Sequence, residues 1–560
     1  MLKATLESAI EKALGELGAA GAAFVVERAP AGTDAEYATN AALSAGKKAG
    51  IPPREAAERL RRLLEKAALP HIERIDIAPP GFINFALDRS YFSSALEEAR
   101  RGGDAWGRNE SRTGKLILVE HTQPNPFKPF HIGHLMSNTL GESISRLMKA
   151  SGASVLAVNY QGDVGLHVAK ALWGVLEKKS DPENIEALGA AYVLGNEMYE
   201  TDEKARAEIQ AINKKIYEGK DGDLMKLYRA GREASLRHFA ELYRLLGSEF
   251  DHYFFESETW EKGSALVMEG LSKGIFEESE GAVIYRGEKK GLHTRVFVTR
   301  EGLPTYEAKE VGLALAKMEY KPFDLSITTT AAEQRDYFAV IFEVLAELRP
   351  VLADKFLHIA HGMMLLPSGK MSSRKGNVVT GEALIGDMLA AARERMGKRD
   401  VAADKESVAR AIAVAAIKYS ILKQGSGKNI VFDAERSLSL EGDSGPYLQY
   451  AHTRCASLAR KAAGEGVEAS TAMPTAAPSL PERLVPLFPD AVERAARDYE
   501  PHYVAQYLTE LAGAFNSWYA QTQIIDGTPE AAYKLAVAEA VGQTLKNGLW
   551  LLGIAAPDEM

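Results

Sequence analysis

The chain has 560 residues, 46% of them hydrophobic and 26% charged, the composition of an ordinary globular protein long enough for about three domains. Its single cysteine, Cys455, excludes an intramolecular disulfide and a thiolate zinc site, and no apolar run approaches the ~18 residues of a membrane span. The formal net charge of -9 argues mildly against a nucleic-acid partner, although a local basic face can sit on an acidic protein. Leu2, Leu6, Ile10, Leu14 and Leu17 recur at helical spacing, interrupted by Glu7, Glu11 and Glu16. An amphipathic helix is expected there rather than a secretion signal. The first 110 residues alternate helical stretches with one clear strand, 81–87, introduced by Pro79-Pro80.

Residues 115–120 form a short apolar run ending in a carboxylate, which reads as a buried parallel strand. A loop with Pro124, Pro126 and Pro129 follows, then a helix from about His131–Gly133 through Leu147, then a strand at 155–158. This is a β-loop-α-β unit of the doubly wound kind. Residues 170–260 are polar and helical, as in an insertion. Strand-like runs resume at 282–285, 295–298, 325–328 and 356–359; beyond about 400 the periodicity is helical, with a loop at 461–483. Cys455 falls in that region and reads as a small core residue on a helix.

His131-Ile132-Gly133-His134 opens a helix after a strand and a proline-rich loop. Helix N-termini present unpaired N–H groups and a positive dipole end, so phosphate binds there, and Gly133 lets a ligand approach the backbone. Two histidines one turn apart can donate to phosphate oxygens as charge moves onto a leaving pyrophosphate. Far downstream stands Lys370-Met371-Ser372-Ser373-Arg374-Lys375-Gly376-Asn377, after the turn-forming Pro367-Ser368-Gly369. A loop with three cations can clamp a triphosphate. Alone, the first element could be two capping histidines and the second a solvated basic loop; their order within one α/β domain is much more specific. Gly425-Ser426-Gly427-Lys428-Asn429 only faintly suggests a Walker A loop, since Leu422 stands where its first glycine belongs; it reads as a loop.

The pair resembles the HIGH and KMSKS motifs of class I aminoacyl-tRNA synthetases, and its flanks resemble the arginyl enzymes. The segments carrying this are Val119–Asn125, Lys128–His131, Asn159–Gly165, Glu441–His452 and Leu551–Ile554 with the terminal Met560. Tyr37–Ala41 and Phe82–Phe85 resemble the family as well, so the likeness covers essentially the whole chain. It implies a multidomain α/β plus all-α protein. The expected parts are an N-terminal α+β domain that binds the tRNA elbow (1–112), a Rossmann-type catalytic domain (113–400, helical insertion at about 170–260) and a helical-bundle anticodon-binding domain (401–560).

By the same resemblance, His131, His134, Lys128 and Lys370 are catalytic, and His131, Gly133, His134, Met371, Ser372, Ser373 and Arg374 bind ATP. Ser373 stands where the family loop has a second lysine; many arginyl enzymes lack that lysine and carry one just before HIGH, as Lys128 does. Glu120, Asn125, His134, Tyr306, Glu310 and Gln334 would bind arginine. A guanidinium needs carboxylates and welcomes an aromatic face, and Tyr306 and Glu310 share a face if 304–310 is helical. The family has Tyr-x-x-Arg-Asp here, so Lys309 and Glu310 are departures; Val164 and His167 depart as well, as does Tyr337 or Phe338, where the family usually has a histidine. Asn84, Tyr447, Tyr450, Phe515, Tyr519 and Met560 would contact tRNA, while Trp518 reads as core. The resemblance further implies ATP as substrate with Mg²⁺, no zinc or other protein-held metal, L-arginine and tRNA(Arg) as partners, no membrane, a monomer and a cytoplasmic location. A cysteinyl enzyme would want zinc thiolates, a class I lysyl enzyme a different C-terminal domain, and a small nucleotidyltransferase a shorter chain. A non-catalytic tRNA binder would not need His131, His134, Lys128 and Lys370.

Overall fold

The computed structural model describes residues 2–30, 32–365, 380–397, 404–472 and 477–560. They fall into two compact units, each assembled from separated stretches of chain.

The larger unit spans 108–450, 492–509 and 548–560. Its centre is a five-stranded sheet in the order Phe356–His361, Leu325–Ala331, Leu116–Glu120, Ser154–Gln161, His252–Phe255. Every neighbouring pair is parallel. The apolar run 117–119 occupies the middle and is almost wholly buried, as a strand covered on both faces must be. The strands expected at 115–120, 155–158, 325–328 and 356–359 are present, the last three longer than expected. Strand His252–Phe255 was not foreseen; as a four-residue edge strand it carries little periodicity.

Between the fourth and fifth sheet members run helices Leu166–Lys178, Ile185–Thr201, Glu203–Glu218 and Gly222–Leu246. Asn184, Asp202 and Asp221 cap three of them, each side chain accepting a backbone N–H of the first turn. They enclose a core of Val164, Val168, Leu172, Ile209 and Tyr228, with Phe127 from the proline-rich loop. That is a physical account of Val164: it is a buried member of this core. The strands expected at 282–285 and 295–298 form a separate antiparallel sheet with Glu277–Ser279.

The smaller unit contains 1–107, 451–491 and 510–547. Its sheet is antiparallel, in the order Val26–Arg28, Tyr37–Thr39, Phe82–Leu87, Ile72–Ala78. The sequence reading found one of these four strands. Two of the others are three-residue pieces, too short for a periodic signal. The two ends of the chain are tied together within this unit. Tyr37 donates to Asp490 at 2.8 Å and Trp106 Nε1–H to Thr544 at 3.0 Å. Cys455 is buried on helix Gly445–Glu465, as expected. Among the described residues no helix is long and apolar enough to cross a membrane.

Candidate active site

Strand Leu116–Glu120 pairs with Ser154–Gln161, the next strand in the chain, on one side and with Leu325–Ala331 on the other. Connections therefore leave it in opposite directions, and a crevice opens at the carboxyl ends of the strands, where doubly wound sheets bind ligands. A cleft of about 610 Å³ lies there. It gathers Glu120, Asn125, His131, Gly133, His134, Tyr306, Glu310 and Gln334, residues up to about two hundred positions apart that the sequence reading had placed in one site.

Helix Ile132–Ala150 presents its N-terminus to the cleft. The His131 and His134 rings stack at 3.5 Å between centroids. His134 Nδ1 accepts the His131 backbone N–H at 3.2 Å, which leaves Nε2 to carry the proton of the neutral ring. Burial, reinforced by nearby Lys128 and His361, holds His131 down to about 4, and burial with His131 beside it pushes His134 well below the usual imidazole range. Both rings are thus neutral N–H donors lining the cleft. A side chain at Gly133 would meet His131 Cε1 at 2.9 Å, so glycine is what allows the rings to sit over the first turn.

The loop before this helix is bent sharply. Thr122 and Gln123 have φ of 79° and 45°, unusual for a β-branched residue and its neighbour. Hydrogen bonds hold it there: Thr122 N–H donates to Ser137 Oγ at 2.9 Å, and Ser137 donates to the Thr329 carbonyl at 2.7 Å. The loop is thereby fixed between the helix and a sheet strand, and Asn125 Oδ1 accepts the Gly162 N–H at 3.1 Å.

The other end of the cleft is acidic. Tyr306 and Glu310 do lie on one helix, Tyr306–Tyr320. The Tyr306 ring stands at the exposed mouth, and Tyr337 O–H donates to the Tyr306 carbonyl at 3.1 Å. Burial, then Glu120, pushes the Glu310 carboxyl well above its usual range. Lys309 Nζ lies 2.7 Å from Glu256 and Lys317 Nζ 2.5 Å from Glu120, while Gln123 donates to Glu120 at 2.8 Å. Glu256, which lines this end, was missed, as was Lys317. Glu256 follows an unforeseen strand directly, and a carboxylate at a strand's carboxyl end was the available signal. His167 Nε2 lies 2.7 Å from the Gly162 carbonyl, and burial holds its ring down to about 3, so as a neutral donor it fixes the strand end facing Asn125.

Some expected residues are placed elsewhere. Lys128 is half-buried with its ammonium over the Tyr192 ring at 5.5 Å, outside the cleft lining, because Phe127 anchors the loop in the helical insertion. Lys370, Met371, Ser372, Ser373 and Arg374 lie outside the described residues. Thr380, the first residue described after them, bridges to His131. Tyr447 and Tyr450 are half-exposed on helix Gly445–Glu465, and Met560 is half-buried. Tyr519 is exposed, with Arg454 5.2 Å from its ring. Phe515 is fully buried, packed on Trp518 and Tyr519, and offers no face to a base; the expectation that it stacks on tRNA is corrected to a core role. Asn84 is buried within its sheet, so its side chain presents little surface for an RNA contact. The Gly425–Asn429 stretch is a loop.

Residues 99–434 match the class I (R) tRNA synthetase catalytic domain, 448–560 the DALR anticodon binding domain and 2–87 the arginyl tRNA synthetase N terminal domain. The arginine–tRNA ligase of Ligilactobacillus salivarius is 32% identical over 89% of each chain, and that of Porphyromonas gingivalis 29% over 86% of each. The arginyl-tRNA synthetase structure from Thermus thermophilus superposes with a TM-score of 0.81 at 27% identity, covering 100% of both chains.

Proposed function

The chain belongs to the class I arginyl-tRNA synthetases, and from that premise we propose how its residues divide the work. The enzyme activates L-arginine with ATP and transfers the arginyl group to the 3′ terminal adenosine of tRNA(Arg) in protein synthesis. A nucleic-acid partner therefore stands despite the net charge of -9, since recognition needs only a local surface.

The observation that carries the residue-level reading is the polarity of the cleft: neutral imidazole donors over a helix N-terminus at one end, buried and half-buried carboxylates at the other. Glu310 and Glu256 face the guanidinium, with Tyr306 against its plane. Glu120, Asn125 and Gln334 hold the α-amino end. The arginine carboxylate oxygen then bonds to the α-phosphorus as the bond to the β-phosphate bridging oxygen breaks. His131 and His134 donate N–H groups to the phosphate oxygens that gain charge, so catalysis is positioning and electrostatics without a protein nucleophile. Lys370 and the Met371–Arg374 segment are proposed to reach the triphosphate from beyond Thr380, and Lys128 to act on its charge from outside the cleft wall. Mg²⁺ would neutralise oxygens of the triphosphate.

The division into an elbow-binding part (1–112), a catalytic part (113–400) and an anticodon-binding part (401–560) is part of this proposal. So are tRNA contacts at Tyr447, Tyr450, Tyr519 and Met560, transfer to the 2′-hydroxyl, activation that requires bound tRNA, a monomeric state and a cytoplasmic location. Arginine-dependent exchange of pyrophosphate into ATP, run with and without tRNA(Arg), tests the core of it. Exchange with arginine only when tRNA is present is expected; exchange with a different amino acid would overturn the specificity.

A further inference from the structure

Helix Tyr306–Tyr320 carries more than the tyrosine and glutamate that face the substrate. Tyr306, Glu310 and Lys317 fall on one helical face, with Lys309 beside Glu310. The Lys309 and Lys317 side chains are only 4% and 2% exposed. Burying an ammonium that deeply is unfavourable unless its charge is met. Each lysine meets one cleft carboxylate, Lys309 through Glu256 Oε2 at 2.7 Å and Lys317 through Glu120 Oε2 at 2.5 Å. Lys317 also donates to Ser326 at 3.2 Å. Glu310, between them on the helix, forms no ion pair among the described residues. Glu307, next to Tyr306, is matched separately by Arg295 at 3.5 Å.

We propose that Lys309 and Lys317 are positioning residues for arginine, built-in counter-ions that orient Glu256 and Glu120 and leave Glu310 as the one of these three carboxylates with no paired cation among the described residues. The inference rests on the arginine-activating reading above. With all three ionised, the buried Glu120 and Glu256 and the half-buried Glu310 exceed the two buried cations by one negative charge, matching the one net positive charge of zwitterionic arginine, and the proton that burial and Glu120 favour on Glu310 is the one arginine must displace. Without the lysines the same three carboxylates would repel one another and hold protons that a guanidinium must displace. Each lysine engages one carboxylate oxygen, so the other oxygen of Glu256 remains directed toward Gly162, the neighbour of Asn125.

The remaining titratable groups here are Tyr160 and Tyr337 beside Glu310, and Asp163, Lys128 and Tyr217 beside Glu256. Burial raises the phenols of Tyr160, Tyr337 and Tyr217 above their usual range, so they stay neutral and do not alter the charge balance near neutral pH.

The test is tRNA-supported pyrophosphate exchange with full-length enzyme, titrating arginine and ATP separately across pH. Lys317→Met is expected to raise the arginine KM at least about tenfold near neutral pH, with the ATP KM within about twofold, because Glu120 is left buried without a cation. The defect should shrink as pH rises by about two units, since the stranded carboxyl then loses its proton. In Lys317→Met/Glu120→Gln the high KM should persist and its pH dependence fall back to that of the parent enzyme, to which Glu310 contributes. Lys309→Met, acting through Glu256, should repeat the pattern and decides the matter if Lys317→Met fails to fold. Arginine KM unchanged in the folded variants, or arginine and ATP KM rising together at every pH, would overturn the positioning role. Absence of arginine-dependent exchange in the unmodified enzyme would overturn the functional reading, and this inference with it.

Discussion

Replacing Gly162 with alanine loads the amino-acid end of the cleft without touching the ATP end. A Cβ at this position stands 2.7 Å from Asn125 Oδ1 and 3.1 Å from Glu256 Oε1. A non-bonded carbon does not sit 2.7 Å from an oxygen, so the Asn125 amide must withdraw and give up the 3.1 Å hydrogen bond it accepts from Gly162 N–H. Losing that bond costs about 1 kcal/mol and the crowding about 1–3 kcal/mol more. If arginine needs Asn125 and Glu256 in place, the strain returns whenever substrate draws them back. At about 1.4 kcal/mol per factor of ten, kcat/KM for arginine should fall roughly 30- to 700-fold. The ATP KM should move about twofold or less, because His131 and His134 stand on a different element. The assay is tRNA-supported pyrophosphate exchange, with circular dichroism confirming the fold. A folded Gly162→Ala enzyme with an unchanged arginine KM would refute the placement of Asn125 and Glu256 around the substrate.

Tyr306→Ala and Glu310→Ala should each weaken arginine use far more than ATP use, the second by about a hundredfold, since a charged hydrogen bond contributes about 1.5–3 kcal/mol; equal KM effects on both substrates would remove these residues from the pocket. Tyr447→Ala should raise the KM for tRNA about tenfold, in line with about 1–3 kcal/mol per stacked base, and unchanged tRNA kinetics in the aminoacylation assay would return that tyrosine to the core. Lys418, fully buried with its ammonium 2.9 Å from the Gly553 carbonyl, is pushed down by burial to about 7 from an ordinary value of 10.5, with Glu142 opposing the shift. Between those values the unfolded chain holds more protons, so this residue's contribution to stability rises with pH. Lys418→Met removes that dependence. The stability of the variant relative to the parent should therefore be greatest near neutrality and decline by up to about 1.4 kcal/mol per pH unit above it. Unfolding midpoints measured across this range check the slope, and a constant offset would refute it.

The sequence by itself determined four strands of the parallel sheet and the helix start that lines one end of the cleft. The run at 116–120, the strand after it and the His131–His134 helix start are local patterns whose meaning depends on neighbours in the chain. The Tyr306–Glu310 pairing was legible for the same reason, because helical spacing places residues four apart on one face. Short strands were not legible: Val26–Arg28 and Tyr37–Thr39 have no period to detect, and they exist because a neighbouring strand satisfies their backbone groups. Burial was not legible either. Phe515 and Tyr519 look equivalent in the sequence, and packing covered one and exposed the other. Only the tertiary structure brought Glu256 to the acidic end of the cleft and Lys317 against Glu120. A lone glutamate or lysine carries no pattern; its role arises from a counter-charge contributed by a distant segment, and that pairing is set by how the sheet and helices pack in space.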